Sequence, residues 1–413
     1  MSEHTVCVVA DDLTGAGDCV VQFAHAGWTS HLALGPALPT GERAAVAVVT
    51  DARALADAAA AAATGAAVRA LAGAGRLYVK IDSTLRGSVA AQVSGALTAW
   101  RERVPGAFAV VCPSYPTLGR TVRDGVLLVD GVPVAATVAG RDPVTPVRAS
   151  ELTALLPGAV RVSSDGDAAA LAGRLAEAGA DADTVVVDAA DDAGLERLAD
   201  AVVLLGAHAV PVGSAGLAAA LAPRWGGSHA GLAPPRVTAE RTLVVLSSLN
   251  EVSRGQAHEL LTAEPGTLLI TPEAGTGPDE QAARALGAVA AAPATVLVRT
   301  PEPSGPAGTG RERAAHAAGA LADLVAAVTE RMRPDAVVLI GGDGARAVLA
   351  RLGARSVRVA GSVAEGVPLG HLEGGPAHDT VVVTKAGGFG TRRTVVDVLE
   401  SLRSYSSHQE VNP

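Results

Sequence analysis

The chain has 413 residues, and 33 Lys and Arg against 42 Asp and Glu give it a formal net charge of −9. This acidic balance, with 2% aromatic residues and no basic run, excludes the usual nucleic-acid readers, which need a basic face and stacking aromatics. Because 49% of the residues are hydrophobic and 18% charged, disorder is excluded, and the length predicts two or three domains of roughly 100–200 residues each.

The composition also argues against a membrane or secreted protein. Apolar runs are short and are interrupted by Gly, Asp or Pro, so none could span a bilayer. A predicted strand begins almost at once, with no basic segment before an apolar one, so we expect no signal peptide. Cys7, Cys19 and Cys112 are odd in number and lack CxxC spacing, which fits a reducing compartment. We therefore expect a soluble cytoplasmic protein without membrane or nucleic-acid partners.

The first half of the chain alternates apolar, β-branched runs with Ala-rich stretches at helical spacing. Runs that are apolar throughout are typical of parallel strands buried on both faces. The predicted strands cover 5–10, 31–34, 45–49, 76–81, 107–112, 184–188 and 208–212. The predicted helices cover 53–72, 88–101 and 191–205. A hairpin is predicted over 125–134, around Asp130 and Gly131. This alternation predicts an α/β fold with a mainly parallel sheet.

A linker is predicted over 226–241, where adjacent prolines and several glycines occur without an apolar repeat. It divides the chain into a domain over 1–225 and a domain over 242–413. The second domain is also predicted to be α/β with a mainly parallel sheet, and it includes a long amphipathic helix over 311–333. Its predicted strands cover 242–248, 267–271, 295–299, 336–342, 356–361 and 380–385.

The first predicted strand ends in a polar turn, and ligands of open α/β sheets collect at the carboxyl ends of strands. Asp11 and Asp12 are followed by a Gly-Ala-Gly entry into a helix. Backbone N–H groups at such a helix start favour an anion, and a carboxylate beside it could accept a proton from a substrate hydroxyl. The alternative is that one of the two acids only caps the helix. The two acids together with the glycines favour the functional interpretation.

The strand over 76–81 has a second polar end. Lys80 and Asp82 are predicted on the same side of this strand, and Arg86 follows in the turn. An arginine placed there can donate two parallel hydrogen bonds to a carboxylate of a ligand. The alternative is a structural ion pair of Asp82 with Arg86 or Lys80. A third turn, around Arg120, is a weaker candidate.

Two glycine turns follow strands of the second domain. They contain Gly341, Gly342, Asp343 and Gly344, and then Gly387, Gly388 and Gly390. Such turns let backbone approach phosphates, so together they predict a nucleotide site. The P-loop pattern GxxxxGK[ST] is missing, and no GxGxxG follows the first strand of either domain, which disfavours P-loop and dinucleotide sites. The histidines form no metal-binding pattern, so metal ligands stay unknown.

Taken in order, the motifs resemble those of the four-carbon acid sugar kinase family. ADDLTGAGD, KIDSTLRGSV, CPSYPTLGRTVRDGVLLVDGVPV and DPVTP resemble its N-terminal domain, and GSAGLA, IGGDGARAVL, GSVAEGVPLG and VVTKAGGFG resemble its C-terminal nucleotide-binding domain. The resemblance implies ATP-dependent phosphorylation of a four-carbon sugar acid such as threonate, erythronate or 3-oxo-tetronate. It also implies an active site in the cleft between the domains and Mg²⁺ with the ATP. A homodimer is our expectation from the class of protein.

The resemblance also implies roles for individual residues. Asp12 is the expected base for the attacking hydroxyl, although the sequence does not separate it from Asp11, and Arg86 or Lys80 is the expected carboxylate clamp. The substrate side would comprise Asp11, Asp12, Lys80, Asp82, Arg86 and Arg120. The nucleotide side would comprise Ser248, Gly341, Gly342, Asp343, Gly344, Gly387, Gly388 and Gly390.

One departure from the family pattern affects the nucleotide side. The family usually has Gly-Ser-x-Ser after the first strand of that domain, and this chain has Ser247 and Asn250 in place of the glycine and the second serine, while Ser248 is retained. A Cβ at position 247 could obstruct close backbone approach to a nucleotide. A homologue that binds nucleotide or metabolite but is catalytically impaired is therefore one alternative. A ribokinase-type sugar kinase is another, because DLTGAGD resembles the catalytic glycine turn of that family, although that turn comes late in the chain there.

Overall fold

The computed structural model of the chain describes residues 5–35, 43–71, 73–142, 144–226, 237–273, 275–288, 292–301 and 311–403, without the side chains of 311–315 and 343. It divides into two compact units. The N-terminal unit contains Met1–Ala33 and Leu38–Leu232, and the C-terminal unit contains Leu34–Ala37 and Ala233–Pro413. Of the predicted linker over 226–241, residues 227–236 lie outside the described residues.

The N-terminal unit alternates strands with helices, as the sequence predicts. Its elements are β1 (Val6–Ala10), α1 (Leu13–His25), β2 (Thr29–Ala33), β3 (Ala44–Val49), α2 (Asp57–Ala70), β4 (Arg76–Lys80), α3 (Val89–Arg101), β5 (Phe108–Cys112), β6 (Arg120–Arg123), β7 (Val126–Val129), β8 (Val132–Pro133), α4 (Leu152–Leu155), β9 (Val160–Val162), α5 (Ala168–Asp181), β10 (Thr184–Val187), α6 (Asp192–Leu205), β11 (Ala209–Gly213) and α7 (Ala215–Arg224).

Eight of these strands form a parallel sheet in the order β2-β3-β1-β4-β11-β5-β10-β9. β1 and β5 are buried along their whole length, which explains why their sequences are apolar throughout rather than alternating. β6, β7 and β8 form a small antiparallel sheet. The predicted hairpin is confirmed as β7 and β8, with Asp130 (φ 51°) and Gly131 (φ 79°) at its turn. A positive φ at both central residues is what a type I′ turn requires.

The C-terminal unit is a second α/β structure. Its elements are β12 (Thr242–Leu246), α8 (Glu251–Ala263), β13 (Leu268–Ile270), α9 (Pro278–Gly287), β14 (Thr295–Arg299), α10 (Arg311–Met332), β15 (Ala336–Ile340), α11 (Gly342–Arg351), β16 (Ser356–Ala364), β17 (Val367–Glu373), β18 (Val381–Lys385) and α12 (Thr394–Arg403). The strand order is β13-β14-β12-β15-β18-β17-β16. The first five strands are parallel, and β17 runs antiparallel to both of its neighbours.

The predicted α/β class, with two mainly parallel sheets, is confirmed. β12 ends at Leu246, two residues before the predicted end of that strand. No helix within the described ranges is long and apolar enough to cross a membrane. In the N-terminal sheet β3, β1 and β4 are neighbours, and in the C-terminal sheet β12, β15 and β18 are neighbours. The polar turns that follow each trio of strands therefore lie together at one sheet edge.

Candidate active site

The turn from Asp11 to Gly15 connects β1 to α1. Asp12 is the N-cap of α1: its Oδ1 accepts a hydrogen bond from the Gly15 N–H at 2.7 Å, and its Oδ2 accepts one from the Thr14 hydroxyl at 2.9 Å. The capping role considered for these acids is therefore real. Capping leaves the Asp12 side chain 22% exposed, whereas the Asp11 side chain is completely buried. A ligand can reach Asp12 and cannot reach Asp11.

Arg53 joins the acids of this turn and is not among the residues predicted from the sequence. Its Nε and Nη2 lie 2.7 and 3.0 Å from the two carboxylate oxygens of Asp11, and its Nη1 lies 2.7 Å from Asp12 Oδ2. Nη2 is also 3.5 Å from Asp82 Oδ1. One guanidinium thus holds three carboxylates. Arg53 belongs to a single 3₁₀ turn, Ala52–Ala54, just after β3. Its place at the carboxyl end of a strand is the signal for this residue in the sequence.

Lys80 lies close to the Asp12 turn. It is the last residue of β4, its residue is 4% exposed, and its Nζ donates to the Ile81 carbonyl at 2.8 Å. A Cβ added to Gly15 would lie 2.5 Å from Asp12 Oδ1 and 2.9 Å from Lys80 Nζ. The glycine therefore allows the carboxylate and the ammonium to converge on the start of α1.

Asp82 and Arg86 form the structural ion pair that was the alternative at this turn. Arg86 donates from Nε and Nη2 to the two oxygens of Asp82, each at 2.9 Å, and from Nη1 to Asp142 Oδ2 at 3.2 Å. Asp82 Oδ2 also accepts the Thr84 hydroxyl and the Thr84 N–H. Two N–H groups of the Arg86 guanidinium have no bond in this network, and its side chain is 32% exposed. The ion pair therefore leaves Arg86 accessible to a ligand.

The three neighbouring acids differ in acidity. Burial raises the pKa of Asp11 above its ordinary value, despite the charge of Arg53. Burial acts in the same direction on Asp12, but Arg53 and Lys80 outweigh it, so the pKa of Asp12 is lowered. At Asp82, Arg53 and Arg86 outweigh burial and hold the pKa well below its ordinary value. Asp12 is thus an accessible carboxylate that is ionised at neutral pH.

An open depression of about 350 Å³ lies beside these residues. Its lining comprises Arg53, Ala54, Leu55, Ala56, Gly87, Ser88, Val144, Thr145 and Pro146. The DPVTP motif thus contributes one wall, and Asp142 ties this wall to Arg86. Ser88 is the N-cap of α3, and its hydroxyl makes no capping bond but donates to the Leu55 carbonyl at 2.7 Å. We use the term N-terminal site for Asp11, Asp12, Arg53, Lys80, Asp82, Arg86 and Asp142 with this depression.

Arg120 stands apart from the N-terminal site. It begins β6, its Nη1 donates to the Leu118 carbonyl, and its Nε is buried without a hydrogen-bond partner. Within the described part of the chain, no ion pair connects Arg120 to the acids of the N-terminal site. Its predicted contact with substrate stays a prediction.

The turns after β12, β15 and β18 form a second site, in the C-terminal unit. Leu246, Ile340 and Lys385, the last residues of these strands, lie opposite one another in register. The turns that follow are therefore adjacent, which a single nucleotide site made of the two glycine turns requires. We use the term C-terminal site for residues 247–250, 341–344 and 385–391.

The first glycine turn begins α11 in a conformation that only glycine tolerates. Gly341, the N-cap, has φ +104°, and a Cβ there would lie 2.6 Å from Ser247 Oγ and 3.0 Å from the Ser248 nitrogen. α11 has no side-chain cap, so its first N–H groups are available to an anion. A Cβ added to Gly342 would meet no atom within 4 Å, so this glycine faces open space. The backbone of Asp343 lies in the first turn of α11, and its side chain is outside the described part.

Ser247, the departure from the family pattern, points into the glycine turn. Its hydroxyl donates to the Ile340 carbonyl at 2.9 Å and lies 3.4 Å from the Gly341 carbonyl. A Cβ added to Gly344 would lie 2.1 Å from the Cβ of Ser247. The serine therefore occupies the space that the missing Cβ of Gly344 leaves, and the two residues are complementary.

The second glycine turn packs against the retained serine. A Cβ added to Gly387 would lie 2.1 Å from Ser248 Oγ, and one added to Gly388 would lie 3.3 Å from Asn250 Nδ2. Asn250, the other departure, is the N-cap of α8 and accepts the Val252 N–H at 2.9 Å. The predicted nucleotide residues Ser248, Gly341, Gly344, Gly387 and Gly388 are therefore brought together. Gly390, with φ +89°, lies further along the same turn, against Thr394.

Lys385 is the second residue that sequence reasoning missed. It is 1% exposed, and its Nζ donates to the carbonyls of Ala386 and Phe389, both at 2.7 Å. Its position directly before the AGGFG turn was visible in the sequence, but it was interpreted only as the end of a strand. Among the described residues no group of three or more His, Cys, Asp or Glu could hold a metal ion.

Two family models match the chain, each over one of these units. The model of a sugar-binding N-terminal domain matches residues 6–221, and that of a nucleotide-binding C-terminal domain matches residues 243–395. The N-terminal site falls in the first range and the C-terminal site in the second. The matched descriptions agree with the two kinds of ligand that the motifs predict.

Relatives extend over nearly the whole chain. A D-threonate kinase of Bordetella bronchiseptica is 44% identical over 96% of this chain and 97% of its own. A D-erythronate kinase of Heliobacterium modesticaldum is 28% identical over 98% of each. A solved structure from B. bronchiseptica, described as a domain of unknown function with bound citrate and as a domain-swapped dimer, is 42% identical over 97% of this chain and 98% of its own, with a TM-score of 0.51.

A further solved structure supports the fold. A Salmonella typhimurium protein described as a putative tRNA synthase has a TM-score of 0.76 over 98% of this chain and 99% of its own, at 22% identity. At that identity the likeness shows the α/β architecture alone. Together with the two family models and the 44% identity to a full-length relative, the motifs establish the family. The chain belongs to the four-carbon acid sugar kinase family.

Proposed function

We propose that this protein is an ATP-dependent kinase that phosphorylates a hydroxyl group of a four-carbon sugar acid, with D-threonate as the leading candidate. The relatives named D-threonate kinase, including the one at 44% identity, support this substrate class. The observation that carries the proposal is the partly exposed, ionised carboxylate of Asp12, which is paired with Arg53 and lies near Lys80 at the end of β1.

Asp12 is the proposed base. A base must reach the hydroxyl whose proton it accepts, and of the two adjacent acids only Asp12 has an exposed side chain. Asp11 instead fixes Arg53 through two hydrogen bonds, and Arg53 in turn orients Asp12. Phosphoryl transfer depends mainly on positioning and charge neutralisation, so this orientation is the chief contribution of the turn.

Arg86 is the proposed clamp for the carboxylate of the sugar acid. Its two unused N–H groups and its exposure of 32% suit a ligand carboxylate better than the buried Lys80 does. Arg53 lines the depression beside it and would contribute positive charge. Citrate, the ligand in the B. bronchiseptica structure, also carries carboxylates, which is consistent with an anion-binding role for this family.

The C-terminal site is the proposed ATP site. Uncapped N–H groups at the start of α11, the open face of Gly342 and the Ser248 hydroxyl are suited to phosphate oxygens. Mg²⁺ typically binds one or two carboxylates together with substrate phosphates. Since the described residues contain no cluster of metal ligands, we propose that Mg²⁺ is held mainly by the ATP phosphates.

Two further expectations belong to this proposal. We propose a homodimer, in keeping with the domain-swapped dimer described for the relative from B. bronchiseptica. We also propose that the protein acts in the cytoplasm, because Cys7, Cys19 and Cys112 are all buried free thiols and none forms a disulfide.

The test is an ADP-release assay over a panel of acids: D-threonate, L-threonate, D-erythronate and 3-oxo-tetronate, with threitol as the uncharged control. We expect turnover of at least one of the acids and much weaker turnover of threitol. If ATP raises the melting temperature but no acid is turned over, the protein is instead the catalytically impaired homologue. If ATP neither binds nor supports turnover, the proposed ATP site is wrong as well.

A further inference from the structure

Lysine is confined to two positions of the chain. Of its 33 basic Lys and Arg residues only Lys80 and Lys385 are lysines, and every other one is an arginine. Both lysines end a strand, both are buried, and one lies in each candidate site. The planar guanidinium of arginine suits ion pairs with two parallel hydrogen bonds, whereas the ammonium of lysine is a compact point charge on a flexible stem. Lys80 already has a place in the proposed mechanism, and Lys385 does not.

The Lys385 ammonium carries a charge that the described residues do not balance. Its two hydrogen bonds go to the neutral carbonyls of Ala386 and Phe389, and no described carboxylate lies within 4.0 Å of its Nζ. Arg403 of the same unit shows the usual arrangement, because it donates to both oxygens of Glu264 at 2.7 and 3.0 Å. Isolated buried charges are costly, so they are normally paired.

We propose that Lys385 binds a phosphate group of the nucleotide, and that this phosphate supplies the negative charge missing around the buried ammonium. The inference rests on the proposed function, because it assigns ATP to the C-terminal site. An ammonium has three N–H donors, and the two carbonyls use two of them. The third has no hydrogen-bond partner among the described residues, and the carbonyl bonds tie the ammonium to the same turn that carries Gly387 and Gly388.

Burial supports this proposal through its effect on protonation. It lowers the pKa of Lys385 to about 8, and no charged side chain opposes that effect. A bound phosphate would favour the ammonium and raise this pKa again. ATP binding above pH 8 should therefore take up a proton, and affinity for ATP should fall as the pH rises towards 9.5.

The competing interpretation is that Lys385 only ties the turn together. The two roles respond differently to pH, because a neutral amine keeps two N–H donors, enough for the carbonyls of Ala386 and Phe389. Deprotonation removes the charge without removing the bonds that hold the turn. A fall in ATP affinity with pH therefore reports the charge, and a structural role alone does not predict one.

The experiment is calorimetric titration of the full chain with ATP, ADP and adenosine at pH 7 to 9.5, in buffers of different ionisation enthalpy. The variants are Lys385→Met, Lys385→Arg and, as a control at a paired cation of the same unit, Arg403→Met. For Lys385→Met we expect ATP affinity to fall by about tenfold to a hundredfold, the range of one charged hydrogen bond, with little change for adenosine. Lys385→Arg should restore part of the loss and abolish the pH dependence.

The proposal is overturned if Lys385→Met binds ATP within twofold of the wild type, or if ATP binding by the wild type takes up no proton between pH 8 and 9.5. It is also overturned if the variant loses adenosine and ATP affinity equally, because the turn alone then accounts for the loss. Failure of the proposed function looks different, since the wild type itself would not bind ATP. Melting temperatures of all the variants identify any that fail to fold, and in that case the pH series on the wild type decides.

Discussion

The two candidate sites lie at equivalent places in their sheets but consist of different chemical groups. The N-terminal site consists of charged side chains, with one guanidinium holding three carboxylates. The C-terminal site consists of glycine turns, helix N–H groups, hydroxyls and a single buried ammonium. A small acid has few atoms, so its recognition depends on charged groups placed at defined points. A phosphate chain can be held by backbone, so recognition there depends on turns that let backbone approach.

This difference also bears on the net negative charge of the chain and on its two lysines. A protein of net negative charge that is proposed to bind two anions must collect positive charge locally, and its two lysines, Lys80 and Lys385, lie one in each candidate site. In the N-terminal site the cations are balanced by aspartates before any ligand arrives. In the C-terminal site no carboxylate of the described side chains lies within 4.0 Å of the ammonium. Removal of a charged partner should therefore lower the stability of the first site, whereas the second site should respond to loss of its ammonium and, to a smaller extent, to loss of space in its glycine turns.

The largest effect is expected from Asp12→Asn. Asparagine also caps helices, so α1 should be retained, but an amide cannot accept the substrate proton. Loss of a general base typically costs about a hundredfold to ten-thousandfold in rate, and we expect kcat to fall within this range with ATP affinity unchanged. Asp57→Asn, the same change at an exposed position in the first turn of α2, is the control. Near-normal turnover by Asp12→Asn would eliminate Asp12 as the base.

Arg53→Met tests whether the N-terminal site depends on balanced charge. It leaves buried carboxylates without their partner, so we expect the free energy of unfolding at pH 7 to fall by about 3 kcal/mol. Arg69→Met, at an ion pair with Glu102 in which both side chains are about half exposed, should leave stability nearly unchanged. Equal effects of the two changes in chemical denaturation would show that Arg53 is an ordinary surface arginine.

The dependence of stability on pH in acid also tests the charge balance of the N-terminal site. The pKa values of Asp12 and Asp82 are lowered in the folded protein, so their stabilising contribution is present above the ordinary aspartate pKa of about 3.9 and is lost as the pH falls through the folded-state values. Arg53→Met should make the free energy of unfolding less dependent on pH in the acid range, because Arg53 is one of the causes that lower both pKa values. If the variant loses stability with falling pH as steeply as the wild type, other groups control stability in acid.

Arg86→Ala tests the carboxylate clamp. KM for the sugar acid should rise by about tenfold to a hundredfold, the range of a charged hydrogen bond, while KM for ATP stays constant. A neutral polyol, if it is accepted, should be affected far less. Arg101→Ala is the matched control, since that side chain is 33% exposed and pairs with Asp183. A similar rise for acid and polyol would rule out Arg86 as the clamp.

The smallest effects are expected from the fit between Ser247 and Gly344. Ser247→Gly should leave ATP affinity the same or tighten it. Gly344→Ala should lower the free energy of unfolding by about 1–3 kcal/mol through overpacking, because its new Cβ would lie 2.1 Å from the Cβ of Ser247. The double variant, Ser247→Gly with Gly344→Ala, should recover most of that stability. If its melting temperature falls by the sum of the changes in the two single variants, the two residues do not share this space.

Much of this architecture follows from the sequence, and the exceptions have physical causes. Strand ends can be recognised in the chain, so Asp12, Lys80 and the glycine turns were identified. The position of Arg53 just after β3 is visible in the sequence, but its contact with the acids after β1 depends on β3 lying next to β1, and strand order is a property of the sheet. The direction of Ser247 was also unpredictable, since it depends on the space left by Gly344, a residue far along the chain.

The most direct test of the two-site account uses the two lysines as reporters. Protein labelled with ¹³C at lysine Cε should give two lysine signals, assigned with Lys385→Arg. We predict that D-threonate moves the Lys80 signal and leaves that of Lys385, whereas a non-hydrolysable ATP analogue moves the Lys385 signal and leaves that of Lys80. If both ligands moved the same signal, or if ATP left Lys385 unaffected, the assignment of acid and nucleotide to separate sites would be contradicted.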